Sequence, residues 1–414
     1  MMMMRGMTRS MRAAGLAMLF FLVACDWPLE VPAQVELVAP ADGASMSLLP
    51  VVFSWQPGDD VAGYRLQLSA NSGYTAVVAD TSVSGTSVAL AVTTDGTYYW
   101  RVRAMSSDSV WGSWSESRKV ILRRFTIATT LSLPGYSHDI AIQSGRAYVA
   151  AGQAGLAVLD VLNPETPALL GQFMDSLNEA WGVAVRDSCA YLAYGYTELI
   201  VVDVRRPDSL RAFGELGYLQ PGYGYDVAVS DTLVYVAAGA QFVRTNVADP
   251  RFPGLSFQYS YPRNCRGVVV EGSRGFVACE QLGVAGWRLD ANPPVQVGSM
   301  DTPANARGLA LLGDRLFIAD GRGGLIVAEA SDPAAITALG SLELNGYAQA
   351  VAVQDTLAFV ACGSGGFAVV NVARPEQPRL AARLATPYAA AVAVDGRYVF
   401  GCDRDLGLVV IRME

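Results

Sequence analysis

The chain has 414 residues, 52% of them hydrophobic and only 16% charged, with a formal net charge of −8. Its single histidine, His138, excludes HExxH zinc sites and multi-histidine metal cages. The acidic balance argues against nucleic acid as a partner, because binding to phosphate backbones rests on clustered cations, and lysine occurs only at Lys119.

Residues 1–24 carry Arg5, Arg9 and Arg12 ahead of an apolar run from Ala13 to Ala24, followed by Cys25. The run is short for a membrane span, and the small residues before the cysteine fit a cleavage site. Leu22-Val23-Ala24-Cys25 resembles a lipobox. That resemblance implies a lipid on Cys25, a mature chain that starts there, and residence on a membrane of the cell envelope. An ordinary signal peptide with an incidental cysteine is the alternative. Asp26 is similar to an inner-membrane retention signal of enterobacterial lipoproteins, but the rule is not general and the leaflet stays open.

After a linker over 25–32, residues 33–122 alternate apolar and polar positions in segments such as VVFSW, GYRLQLS, SVALAV and TYYWRVRAM, which predicts a β-sandwich. Trp55, the Tyr98–Arg103 run and Trp111-Gly112-Ser113-Trp114-Ser115 resemble a fibronectin type III domain. The last run is similar to the tryptophan-serine box of cytokine-receptor modules. Arg101 and Arg103 stacked on Trp111 and Trp114 would form a structural ladder or, alternatively, a platform for a ligand.

From 123 to 414 an apolar, small-residue strand recurs, read as DIAI, GVAV, DVAV, GVVV, GLAL, AVAV and AVAV and starting at 139, 182, 226, 267, 308, 350 and 391. A period near 40 with turn signals between short strands marks a radial β-repeat, so an all-β chain ending in a seven-bladed β-propeller is expected. Each copy continues with a second strand that carries an aromatic, a third strand and, in six copies, a turn containing proline, such as Asn163-Pro164 or Arg374-Pro375. The seventh copy stops at Glu414 without a fourth strand. The spare segment FTIATTLSL at 125–133 is expected to supply it and so remove an open sheet edge.

GLAVLDVLNPETPALLG at 155–171 and GFAVVNVARPEQPRLAA at 366–382 resemble the LVIVD-repeat propellers of bacterial and archaeal surface proteins. The resemblance covers roughly 125–414 and implies an extracytoplasmic propeller of undefined biochemical activity; it does not imply a catalytic residue. Two copies depart from it: GVAGWRL lacks the acidic residue, and FVRTNV places Arg244 inside the strand.

No catalytic constellation emerges. Ser137, His138 and Asp139 are consecutive, which does not give the geometry of a triad. Asp403-Arg404-Asp405 lacks the further oxygen ligands of a calcium loop. No metal or cofactor is therefore expected. Loops around a propeller's channel mouth carry function more often than the scaffold, so the ligand-face candidates are His138, Asp139, Trp181, Tyr225, Asp226, Arg266, Arg307, Asp320, Gln349 and Asp403. Arg266 and Arg307, equivalent in consecutive repeats, could clamp an anion or could each brace a local acid such as Glu280.

Cys265 and Cys279 flank one hairpin and could be bonded in an exported protein or remain two buried thiols. Cys189, Cys362 and Cys402 read as packing residues. The expected function is a lipid-anchored binding or scaffold module for a protein or carbohydrate partner at the cell envelope. The alternative is a propeller enzyme, a polysaccharide lyase or hydrolase, using the same face.

Overall fold

A computed structural model describes residues 30–47, 51–92, 94–174, 179–195, 198–217 and 223–413. Cys25 and the rest of the proposed lipobox lie outside the described residues. The chain divides into two compact units, one holding most of the first 121 residues and the other Leu122–Glu414.

In the first unit, period-two patterning produces two antiparallel sheets. Leu37–Ala39, Val51–Trp55 and Ser87–Leu90 form one, with Val51–Trp55 in the middle. In the other, Arg118–Arg123, Gly96–Ser106, Val61–Ser69 and Val77–Val83 are successive neighbours. Gly96–Ser106 buries every second residue from Tyr98 onward, as a half-covered strand must. Phe53 from one sheet meets Trp100 from the other edge to face at 5.0 Å. On the opposite side of that strand Arg101 lies over Tyr74 and Trp114, and Arg103 over Trp111 and Trp114, at 3.8–4.7 Å. The cations and rings thus interleave as a ladder. Each ring already carries a guanidinium, which favours the structural reading of this run over the ligand platform.

The second unit is a series of four-stranded antiparallel sheets, seven among the described residues. Six are consecutive meanders, the first running Asp139–Gln143, Arg146–Ala150, Leu156–Asp160 and Ala168–Phe173. The last combines Ala389–Asp395, Tyr398–Asp403 and Gly407–Met413 with Phe125–Leu131 from the start of the unit, in a register that sets Met413 opposite Phe125 and Leu408 opposite Leu131. The first strands of successive sheets lie side by side, and Ala389–Asp395 lies against Asp139–Gln143.

The apolar core is distributed rather than central. Each cluster sits between two neighbouring sheets, and one joins the last sheet to the first through Phe400, Val410, Val149 and Leu159. The second-strand aromatics explain this arrangement. Tyr148, Tyr191, Tyr235, Phe276, Phe317, Phe359 and Phe400 are all at most 3% exposed, and each enters the cluster shared with the following sheet. Truncating any of them would cost about 3–5 kcal/mol.

The proline turns have a packing role beyond fixing φ. A Cβ on Gly171 would overlap the carbonyl of Pro207, and one on Gly340 the carbonyl of Pro375. Both glycines lie at the register shift of a fourth strand. Where that glycine is present, the turn of the following sheet therefore seats on bare backbone, which ties the glycine and the proline motif together across repeats.

The repeats that depart from the pattern are compensated locally. Arg244 is buried but donates to Ser256 Oγ at 3.2 Å and to Asn292 Oδ1 at 3.0 Å. Trp287, which follows the small Ala285-Gly286, donates Nε1–H to the Tyr261 hydroxyl at 2.8 Å amid Phe242, Phe257 and Tyr259. Cys265 and Cys279 are joined by a disulfide. Cys265 is also the last residue of Gly254–Cys265, the fourth strand of the preceding sheet, so the bond links two sheets as well as the two ends of one hairpin. Cys189, Cys362 and Cys402 are buried free thiols.

Candidate functional site

The inner strands begin with a residue of small size or fixed role, because the next inner strand passes close by. A Cβ on Gly182 would come within 2.8 Å of Asp226 Cα, inside any tolerated contact. Where the position is aspartate, the side chain bridges to the neighbour instead. Asp139 accepts from Val183 N at 2.9 Å and Asp226 from Val268 N at 2.8 Å. Asp226 also accepts from Val227 N at 2.8 Å. Burial raises the pKa of both carboxyl groups, and for Asp226 the charge of Asp139 adds to that rise.

One residue earlier in each repeat the side chain faces a common cavity of about 300 Å³. His138, Trp181, Tyr225, Arg266, Arg307 and Gln349 line it together with Asp139 and Asp226. At the seventh sheet the equivalent residue is Ala390, and Arg404 lines the cavity beside it. His138 stacks on Trp181 at 4.0 Å between ring centroids, and Trp181 meets Tyr225 edge on at 5.7 Å. Arg266 lies over Tyr225 at 3.7 Å, Arg307 over Tyr347 at 5.0 Å and Arg404 over Tyr388 at 4.1 Å. The wall is thus aromatic through three sheets and cationic beyond them.

The two arginines expected to act as a pair share an acid. Arg266 Nε donates to Glu280 Oε1 at 2.8 Å, whereas Arg307 approaches the same oxygen only to 3.8 Å. Arg266 is therefore braced by Glu280 and Arg307 is loosely held. Burial, reinforced by the positive Arg404, lowers the pKa of His138 to about 4, so the ring is neutral near pH 7. Four donors in the lining residues lack a hydrogen-bond partner among the described residues: Trp181 Nε1, Arg307 Nε, Gln349 Nε2 and Arg404 Nε.

Asp320 and Asp403 do not belong to the cavity lining and correct the expectation made for them. Both are fully buried. Asp320 accepts from Thr302 Oγ1 at 2.7 Å and Ala304 N at 2.9 Å, and so fixes the loop that leads to Arg307. Asp403 accepts from Tyr388 N at 2.8 Å, Asp405 N at 2.9 Å and Leu406 N at 3.1 Å. It holds in place the tyrosine on which Arg404 rests. A carboxylate that follows a strand can turn inward to satisfy loop N–H groups as readily as outward, and the sequence pattern does not distinguish the two.

A second cavity of about 350 Å³ adjoins the first, sharing His138, Trp181 and Arg404 and extending to Tyr136, Gln153 and Glu179. Ser137 is buried while His138 stacks on Trp181, an arrangement unlike a nucleophile–base pair. Among the described residues no group of three or more His, Cys, Asp or Glu is placed to hold a metal ion.

LVIVD repeats are present in the chain: the model of that repeat matches residues 134–175, 178–212, 303–343 and 345–386. The repeats carrying Arg244 and Trp287, and the one that borrows Phe125–Leu131, fall outside the matches. No curated protein matches the chain. Among solved structures it is similar to the WD40 β-propeller domain of Doa1, at 10% identity and a TM-score of 0.56 over 70% of this chain and 97% of that one. A chain of the mitotic checkpoint complex gives 12% identity and a TM-score of 0.58 over 70% and 93%. The computationally designed Ika8 protein gives 8% identity and a TM-score of 0.54 over 78% and 94%. At these identities the likeness shows the fold alone, which is β-propeller-like.

Proposed function

We propose that this is an exported lipoprotein, anchored through Cys25, in which a fibronectin type III-like module precedes a seven-bladed propeller that binds a ligand at its channel mouth. The observation that carries the binding role is the convergence of His138, Trp181, Tyr225, Arg266, Arg307 and Gln349, from six successive repeats, on one cavity. Donors on Trp181, Arg307, Gln349 and Arg404, which line that cavity, have no partner among the described residues, which is compatible with a ligand there. Pairing of the two ends of the second unit through Phe125–Leu131 supports closure of the ring.

The enzyme reading finds less support. The two carboxyl groups that line the cavity each spend an oxygen on a backbone N–H group of the neighbouring sheet, a structural task that a general base or nucleophile does not need. Screening the full chain in detergent against glycan and peptide arrays tests the proposal. Trp181→Ala should abolish whatever binding is found without lowering the melting temperature by more than a few degrees. Binding that survives this change would move the site elsewhere.

The anchor has its own test. A single acyl chain binds a bilayer only marginally and stable anchoring takes more than one chain, so loss of the acylated residue should be decisive. Cys25→Ser should shift the protein from the membrane to the soluble fraction and remove labelling by a fatty-acid analogue. Unchanged labelling would exclude Cys25 as the lipid site.

A further inference from the structure

The geometry points to an acidic saccharide, a sugar unit bearing a carboxylate such as a uronate, as the ligand of the channel mouth; this rests on the reading of that cavity as a binding site. Three arginines line the cavity together with Asp139 and Asp226, whose pKa values burial raises, and Glu280 beside it is shared between two of the arginines. Each guanidinium lies against a tyrosine ring. A stacked guanidinium spends its face on the ring and keeps its edge for in-plane N–H bonds, the arrangement that forks onto a carboxylate. Arg266 already uses its Nε on Glu280, which leaves Arg307 and Arg404 as the available pair.

The unpartnered groups of the lining are all donors. Besides the two arginine Nε atoms they are the indole N–H of Trp181 and the amide of Gln349. A buried donor without a partner is unfavourable by roughly 1–3 kcal/mol; each of these atoms is shielded from water as the structure stands, so a ligand acceptor meets it once the side chain turns toward the cavity. These donors come from four different sheets, so one carboxylate does not reach them all. A carboxylate carried on a ring with several hydroxyl and ring oxygens can. A cavity of about 300 Å³ lies at the small end for ligand sites and suits one such unit.

The adjoining cavity suits a second unit. It shares His138, Trp181 and Arg404 and ends at Tyr136, whose side chain is 62% exposed. An exposed aromatic beside a hydrogen-bonded pair, Gln153 Nε2 to Glu179 Oε1 at 3.1 Å, offers a flat apolar face and polar edges, which is the chemistry of a pyranose ring.

The test is calorimetric titration of the full chain in detergent with di- and trisaccharides of glucuronate or galacturonate. Matched neutral glucose and galactose oligomers and a short peptide with a free terminal carboxylate serve as comparators. The uronates should bind at least about tenfold more tightly than the comparators, the discrimination expected when charge-assisted hydrogen bonds are lost. Arg404→Gln and Arg307→Gln should each weaken uronate binding about tenfold or more, while Arg404→Lys, which keeps charge without the fork, should recover only part. Trp181→Phe, which keeps the ring and removes the N–H, should also weaken it. Unfolding curves establish that each variant is folded. Equal or tighter binding of the neutral sugars or the peptide, or no uronate binding, overturns the assignment. If the arrays yield another ligand that Trp181→Ala abolishes, the channel mouth remains the binding site and only the saccharide class falls.

Discussion

His138 lies nearly parallel to Trp181, with ring centroids 4.0 Å apart and planes 20° from each other. The contact hides the imidazole from water on one face, and Arg404 adds a positive charge nearby, so the proton is disfavoured and the pKa falls to about 4. Because the chain has one histidine, its proton resonance needs no assignment. We predict that it does not titrate between pH 5 and 8, and a midpoint above 6 would show that the stack is open in solution.

The same shift fixes a sign for stability. A histidine whose folded pKa lies below its unfolded value of about 6.5 leaves stability unchanged above that pH and lowers it as the pH falls, because the unfolded chain takes up the proton first. The loss should develop between about pH 6.5 and 4 and amount to no more than about 3 kcal/mol. His138→Phe, which keeps an aromatic ring on Trp181, should flatten this part of a urea-denaturation profile.

Asp226 carries the opposite sign. Burial and the charge of Asp139 raise its pKa, so the folded chain holds a proton that the unfolded chain releases, and stability falls as the pH rises from about 4 through the folded value. Asp226→Asn removes that charge while its amide oxygen can still accept from Val268 N. The variant should match the parent near pH 4 and exceed it at pH 9 by about 1 kcal/mol or more. A parent that is the more stable at pH 9 would mean that Asp226 is a well-solvated carboxylate.

The repeat was legible because each copy repeats the same small strand and the same aromatic, and because Tyr148 through Phe400 all perform one task between sheets. The bare glycines under the proline turns, Gly171 and Gly340, were not legible. Their partners lie in the next repeat, and a glycine inside a strand equally marks a bulge or a tight bend. In the site, the residue before each inner strand could be read from position alone, since strand alternation fixes which way it faces. Arg404 escaped that rule because it comes from a loop and lies beside Ala390, whose smallness was the available signal. Asp320 and Asp403 failed for the complementary reason: a carboxylate at or just past the end of a strand takes its direction from which N–H groups lie within reach.

The Cys265–Cys279 disulfide closes a short segment, with a sequence separation of 14. Restricting a loop of that size in the unfolded chain is worth about 3 kcal/mol. Replacing both cysteines by serine should lower stability by roughly 2–3 kcal/mol, measured under non-reducing conditions, and the parent should show the bonded peptide pair by mass spectrometry. If a reductant leaves the parent's melting curve unchanged, the pair is not bonded in solution.

Phe125 tests how the ends of the second unit are held. It is 3% exposed, opens the strand that completes the last sheet opposite Met413, and meets Phe359 edge to face with centroids 6.4 Å apart. Its cluster also contains Phe367, Val369, Val399 and Ile411, so one side chain joins the start of the unit to its last two sheets. Phe125→Ala should lose about 3–5 kcal/mol, the cost of deleting a large buried ring from a packed core. Because that ring closes a long-range contact, the loss should be accompanied by faster hydrogen exchange along Gly407–Met413, whose outer hydrogen bonds go to Phe125–Leu131. Exchange confined to residues 125–131, with a stability loss below about 1 kcal/mol, would show that the last sheet stands on three strands and that the spare strand is an ornament rather than a clasp.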